Sequence, residues 1–244
     1  MNVIRKRVLW TVSGIGFLCA AGFLISTYRP FQSQTGRRVR VPQLSQELVL
    51  DDTVFWEPLD TQSLRELLID RPEMVRGKTV LEIGTGSGLI AICCAEAGAE
   101  RVVATDINPN AVSCAKRNAK RFGHDIDFRL VTDDPSAFAV VGADEKFDII
   151  ISNPPWENDQ PAEWADFALY DPSFQLLRSI IQDGRQHLSP DGRILLAYGC
   201  VAAIREAKKL AAECDMQLLI LDERDPESLP EVFLPGMLLG LLPE

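Results

Sequence analysis

From Thr79 onward, apolar residues come in two alternating spacings. Short runs rich in β-branched residues fall at Thr79–Ile83, Arg101–Thr105, Ile126–Val131, Phe147–Ser152, Arg193–Tyr198 and Gln217–Leu221, and predict strands. Between them, apolar residues three and four apart predict helices over Leu89–Glu96, Pro109–Phe122, Ser173–His187 and Val201–Cys214. Pro109 suits a first helical turn, where its missing N–H is not needed. Thr132–Glu145 is expected as a loop, and Ser189-Pro190-Asp191-Gly192 as the turn into the strand at Arg193. Upstream, Leu64, Leu67, Leu68 and Ile69 give a short amphipathic helix. Strand and helix in alternation predict an α/β fold with a parallel, doubly wound sheet and right-handed crossovers. No internal repeat or low-complexity tract interrupts the pattern.

Candidate chemistry sits where the strands stop. Phe147–Ser152 runs into Asn153-Pro154-Pro155-Trp156. Two prolines in succession forbid both helix and ladder pairing, so the strand ends there and Asn153 stands at its carboxyl tip. Ligands of open α/β sheets sit outside such tips. An asparagine followed by a proline carbonyl offers two oxygens to one planar NH2 group, and Trp156 can cover its plane. The bland alternative is a strand-ending turn, for which Asn-Pro and Pro-Pro are ordinary dipeptides.

A second motif lies upstream. Glu82-Ile83-Gly84-Thr85-Gly86-Ser87-Gly88 joins a strand to a helix through three alternating glycines. Glycines permit positive φ and close approach of a ligand to the backbone, and the helix start adds free N–H groups. Leu89 stands where dinucleotide sites carry glycine or alanine, which counts against NAD. The next strand ends at Asp106, an acidic tip able to take both hydroxyls of an adenosine ribose. Glu82, beside the loop, can pair with an ammonium group.

These residues, with Asp106-Ile107-Asn108-Pro109 and Phe147 to Trp156, resemble the class I S-adenosylmethionine methyltransferases. Within that superfamily they are most similar to the small methyltransferase domain group, which includes the release-factor glutamine methyltransferases. The resemblance runs from about Phe55 to Leu221. It implies a Rossmann-like, mostly parallel seven-stranded sheet, with the tail Phe233–Leu242 as an antiparallel last strand. It also implies S-adenosylmethionine as cofactor, bound by Glu82, Gly84, Thr85, Gly86, Gly88, Asp106, Ile107, Asp133 and Asn153. Asp133 or Asp134 corresponds to an acidic residue against the adenine amine, although an Asp-Pro turn explains the pair equally. The catalytic residues so implied are Asn153, Pro154 and Trp156, acting in a direct methyl transfer from sulfonium to an amide or amino nitrogen. Trp156 replaces the usual Tyr or Phe. The helical domain that precedes the fold in the release-factor enzymes has no counterpart here. Phe55, Trp56 and Pro58 fall where related enzymes close over the site, or belong to the core. Trp164, Phe167 and Tyr170, in the acidic stretch 157–172, contact substrate or cover the sheet edge.

Val8–Tyr28 carries no charge over 21 residues, enough to span a bilayer core, with Trp10 and Tyr28 near its ends. The expected organisation is a membrane helix over 1–28, a basic linker over 29–50 and the methyltransferase domain over 51–244. The rivals are a cleaved signal peptide and a buried helix. Flanking basic residues scarcely decide orientation, and the cytosolic origin of the cofactor places the catalytic domain on the cytosolic side.

The charge is unevenly spread. From Val41 onward 18 Lys and Arg face all 35 Asp and Glu, about −17 against −10 for the whole chain. A field of that sign repels phosphate backbones and favours a protein substrate over RNA or DNA. The alternatives are methylation of adenine or guanine amino groups and a cofactor-binding scaffold without catalysis. The six cysteines and the two histidines, His124 and His187, show no metal-ligand spacing, so no metal is expected. Cys93, Cys94 and Cys114 fall among apolar helix positions and are expected as buried thiols. No P-loop or Ser-His-Asp arrangement is visible.

Overall fold

The structure, a computed structural model, describes residues 35–132 and 136–244. The expected membrane segment Val8–Tyr28 and the adenine candidates Asp133 and Asp134 lie outside the described residues. Among the described residues no helix is long and apolar enough to cross a membrane.

A hairpin of β1 (Arg37–Val39) and β2 (Leu48–Leu50) leads to α1 (Gln62–Asp70). The alternating body follows: β3 (Thr79–Ile83), α2 (Leu89–Glu96), β4 (Arg101–Asp106), α3 (Pro109–Phe122), β5 (Asp127–Leu130) and β6 (Phe147–Ser152). It ends with α4 (Gln175–Gln182), α5 (Gly184–His187), β7 (Leu188–Cys200), α6 (Val201–Glu213), β8 (Met216–Ile220) and β9 (Val232–Pro243). The main sheet has seven strands in the order β5-β4-β3-β6-β7-β9-β8. β3 to β7 pair in parallel, and β9 lies antiparallel between β7 and β8. The expected doubly wound, seven-stranded architecture with an antiparallel tail strand is therefore present. The chain runs outward from β3 through β4 to β5 and then returns to β6 on the other side of β3. The β3–β6 junction is the topological switch point, where a crevice opens above the strand tips.

Period-two alternation sends the strand residues to two cores. Val80, Ile149, Ile151 and Leu195 pack with α1, α2 and α3 on one face. Leu81, Ile150, Leu196 and Tyr198 pack with α4 and α6 on the other. Both faces of the central strands are covered, which is why β6 reads as a continuous apolar run.

Three expected boundaries are corrected. From Arg37 the presumed basic linker is part of the folded body: Val39, Val41, Leu48 and Leu50 are buried, and the Asn118 side chain pairs with both backbone groups of Val49. Arg37 and Arg38, which suggested a linker, are exposed positions of a short strand. The helix expected over Ser173–His187 is broken. A 3-10 turn at Pro172–Phe174, with Ser173 and Phe174 at positive φ, precedes α4, whose amides Leu176 and Leu177 donate to the Asp171 carboxylate. The turn expected before Arg193 is instead an irregularity inside β7, with Asp191 at φ +64° and a register shift against β6.

Candidate functional site

The glycine motif is shaped by contacts to its neighbours as much as by its own freedom. Gly84 and Thr85 donate their N–H groups to the Thr105 carbonyl, both at 2.9 Å, which folds the loop over the β4 tip. Gly84 and Gly86 have φ of +77° and +54°, and a Cβ on either would meet no protein atom within 4 Å. Open space therefore lies beside these two residues. Gly88 serves differently. Its φ is +83° and a Cβ would lie 3.0 Å from the Ala115 Cβ, so its smallness lets α2 and α3 approach.

Two acidic side chains organise the loop. Glu82 is buried, and its Oε2 accepts from the Thr85 hydroxyl at 2.5 Å and the Ala91 amide at 3.1 Å. Burial pushes its carboxyl up to about 8; the two hydrogen bonds oppose this and nearby Asp106 adds to it. Asp106 accepts from Gly86 N–H through Oδ2 and from Asn108 N–H through Oδ1, each at 2.8 Å. Burial raises its carboxyl, and those amides with that of Ile107 pull it back down. Each carboxylate oxygen keeps a second lone pair for a ligand hydroxyl.

A cavity of about 540 Å³ spans the switch point, lined by Glu82, Gly84, Thr85, Gly86, Asp106, Ile107, Asn153 and Pro154. Eight of the eleven expected site residues are thus brought to one wall. Gly88 and Trp156 do not line it, and Asp133 is outside the described residues. Trp156 departs from the expected stacking role. Its indole lies over Gly199, where a Cβ would come within 2.4 Å of Cη2, and the ring packs into the second core. Absence of a side chain at Gly199 makes the room that a Trp in this position requires.

The far wall comes from segments that sequence reading left open. Phe55, Trp56 and Pro58 all line the cavity, and Trp56 also packs on the first core. Their segment is tied down at Thr53, which has φ +63° and accepts from Asn108 Nδ2 through its carbonyl at 3.0 Å and from Asn110 Nδ2 through its hydroxyl at 3.0 Å. The stretch after the motif is pinched at its neck, where Glu157 N–H donates to the Leu169 carbonyl and Asp171 N–H to the Glu157 carbonyl. Phe167 and Tyr170 reach the cavity; Trp164 does not, and stands about half exposed beside Phe167 with ring centroids 5.8 Å apart.

Asn153 has the most unusual environment. Its Oδ1 is buried and has no hydrogen-bond partner, and its side chain lies close to the carboxyl group of Asp60. Asp60 is 4% exposed. Burial first, and Glu57 second, push its carboxyl up to about 8, while the nearby Asn153 amide lowers it. Sequence reading missed Thr53 and Asp60. An Asx residue ahead of a helix looks like an ordinary cap, and nothing local signals contact with a strand tip far along the chain.

The cysteines expected as buried thiols are buried: Cys93 and Cys94 in α2, Cys114 in α3, with burial pushing each thiol above its ordinary value. Among the described residues no group of His, Cys, Asp and Glu is placed to hold a metal ion.

A family model described as the methyltransferase small domain matches residues 48–207. The chain belongs to this family. The match begins at Leu48, inside the hairpin, in keeping with the folded body starting before residue 51. Among curated relatives, a putative protein N5-glutamine methyltransferase of Methanocaldococcus jannaschii is 39% identical over 126 residues, 50% of this chain and 59% of that protein. The release factor glutamine methyltransferase of Cereibacter sphaeroides is 34% identical over 193 residues, 72% of this chain and 63% of that protein. The chain thus spans less than two thirds of the length of either relative. Among solved structures, the ribosomal protein L11 methylase of Lactobacillus delbrueckii subsp. bulgaricus superposes with a TM-score of 0.56 at 26% identity, covering 75% of this chain and 79% of that one.

Proposed function

We propose that this small-domain family member is an S-adenosylmethionine-dependent N-methyltransferase acting on a planar amide, the glutamine side chain of a protein. The observation that carries the reading is the buried, unpartnered Asn153 Oδ1 at the edge of the switch-point cavity. Leaving such an acceptor unpaired costs about 1–3 kcal/mol. A cost of that size fits a site whose missing donor arrives with the substrate, and a primary amide brings two N–H donors on one flat group. Similarity to the glutamine methyltransferases supports an amide over a base amine, and the acidic balance of the folded region supports a protein over a nucleic acid.

The residues present fit the cofactor. Open space beside Gly84 and Gly86 admits a ligand to the backbone, the spare lone pairs of Asp106 suit ribose hydroxyls, Ile107 flanks the adenine side, and Glu82 suits an ammonium group. When bound, the cofactor supplies an electrophilic methyl group on sulfonium sulfur. The work of the protein is positional. Asn153 Oδ1 accepts one substrate N–H and the Pro154 carbonyl the other, which weakens conjugation of the nitrogen lone pair and holds it in one direction. No strong base is required beforehand, because the N-methylated amide cation is acidic. The run Val8–Tyr28 supports attachment to a membrane, and the cytosolic origin of the cofactor supports a catalytic body toward the cytosol, which protease protection in inverted vesicles tests.

The decisive assay incubates the chain with methyl-labelled cofactor and a glutamine-bearing release factor, followed by peptide mass spectrometry. Methyl on a glutamine nitrogen is expected. Asn153→Ala reduces turnover by about 10²–10³-fold with cofactor binding retained. Label removed by nuclease rather than protease, or full turnover by Asn153→Ala, overturns the proposal.

A further inference from the structure

The charge of this acidic protein is divided between two regions. Residues 35–46 and 107–124 contain no Asp or Glu and together carry seven Lys and Arg. The rest of the chain beyond residue 46 holds 14 Lys and Arg against all 35 Asp and Glu. The fold joins the two acid-free stretches. The Asn118 side chain on α3 pairs with Val49 at 2.9 and 3.0 Å, and Gln46 Nε2 donates to the Arg121 carbonyl at 2.9 Å. Arg38 stands opposite Val49 in the hairpin ladder, so the β1 arginines flank α3 across a single strand.

On α3, Lys116 and Lys120 form one row four residues apart and Arg117 and Arg121 the next, and all four are exposed. Arg117 is paired with Asp51. Arg38 has Glu47 at 3.9 Å with both side chains largely in solvent, a contact of little worth in water. Among the described residues Lys116, Lys120 and Arg121 form no ion pair. Lys116, Lys120 and His124 line a depression of about 360 Å³, with Asp125 also in its wall. Cationic groups left unneutralised on a protein of opposite overall charge make a footprint for an anionic surface.

A bilayer suits this footprint better than a nucleic acid because of where the chain comes from. Tyr28, the last residue of the uncharged run, precedes Thr35 by seven residues. A chain extends at most about 3.6 Å per residue, so Thr35 stands within about 25 Å of the membrane interface. The hairpin and α3 are then the first folded surface the leaflet meets. Anionic headgroups attract this face and repel the acid-rich remainder, which selects one orientation. Asn108 and Ala111, at the other end of α3, line the cavity. At a rise of 1.5 Å per residue, Lys120 lies about 18 Å from Asn108 along the helix axis. The face can therefore seat on lipid with the cavity uncovered.

Resting on the membrane attachment proposed above, we infer that the outward face of α3, with the β1 arginines beside it, docks on the anionic headgroups of the leaflet from which the chain emerges. The body is thereby held in one orientation, with its cavity open to the aqueous side.

The test uses the full chain in nanodiscs of phosphatidylcholine, alone or with about one-third phosphatidylglycerol. A water-soluble amine-acylating reagent labels exposed lysines, and mass spectrometry reads the rate at each site. Lys116 and Lys120 react at least about five-fold more slowly in anionic than in neutral discs, the bias that one surface-attracted basic residue supplies. Lys208, exposed on α6 over the other core, stays within about two-fold. Protection is lost in about 1 M salt, where the Debye length is about 3 Å. Arg38→Glu combined with Arg121→Glu keeps both lysine probes and brings their rates in anionic discs within about two-fold of those in neutral discs. Binding of S-adenosylhomocysteine by that variant is unchanged, since neither arginine lines the cavity. Equal lysine rates in the two wild-type discs, or equal protection of Lys208, overturn the inference. Protection of Lys116 and Lys120 by RNA, with none from anionic discs, overturns it in favour of a nucleic-acid surface. Failure of the chain to co-elute with neutral discs overturns attachment through Val8–Tyr28 instead, and excess anionic vesicles then decide the docking face by the same lysine protection.

Discussion

Glu82 yields a quantitative expectation about cofactor binding. Its carboxyl, pushed up to about 8 by burial, is mostly protonated at neutral pH before the ligand arrives. An ammonium group binding beside it requires the ionised form, so binding expels a proton. The affinity penalty is 1 + 10^(pKa − pH), about 100-fold at pH 6 and about two-fold at pH 8. Affinity for S-adenosylhomocysteine, which carries the same amino-acid end, therefore rises about 50-fold between pH 6 and pH 8. The gain stops above roughly pH 8, where an α-amino group itself deprotonates. Glu82→Gln preserves an oxygen for Thr85 and Ala91, whose bonds to Glu82 are 2.5 and 3.1 Å, and removes the titration. Wild type and variant should bind alike near pH 6 and diverge steadily toward pH 8. Calorimetry in buffers of different ionisation enthalpy should register release of nearly one proton at pH 7. The stability linkage has the matching sign. A folded-state value above the unfolded one of 4.5 means that the proton's contribution is complete below 4.5 and lost as pH rises through about 8. Thermal stability of the ligand-free protein accordingly declines over that window and the ligand recovers it. Affinity independent of pH in the wild type, or an equal slope in Glu82→Gln, would refute the reasoning.

Two further outcomes test the packing around the site. Trp156→Phe should lower stability by about 1–2 kcal/mol in urea unfolding with KM unchanged, because the indole fills the space over Gly199; a raised KM at unchanged stability would put the ring on the substrate. Gly88→Ala combines a φ of +83° with a Cβ 3.0 Å from Ala115, so it should destabilise by about 1–3 kcal/mol. A neutral Gly88→Ala would show that α2 and α3 have slack there.

Much of the fold was legible because the decisive signals are local. Thr79–Ile83, Leu89–Glu96, Pro109–Phe122 and Phe147–Ser152 stand where the apolar spacing puts them. Punctuation by the glycine loop, by Asn108 capping ahead of Pro109, and by the double proline ends each element through backbone sterics that need no distant partner. The same local logic brought Glu82, Asp106 and Asn153 to one cavity, since strand tips at a switch point converge. Tertiary structure alone decided the rest. The basic run at Arg37–Arg40 reads as a linker until β2 pairs with it and Asn118, on α3, pins β2 to the body. Trp156 is an exposed platform or a half-buried plug depending on whether the facing residue on β7 has a side chain, and that residue is Gly199. Periodicity and turn chemistry act over a few residues and can be read along the chain. Packing of an indole over a glycine, or of an amide against a distant strand, depends on how remote segments meet, so only the assembled fold reveals it.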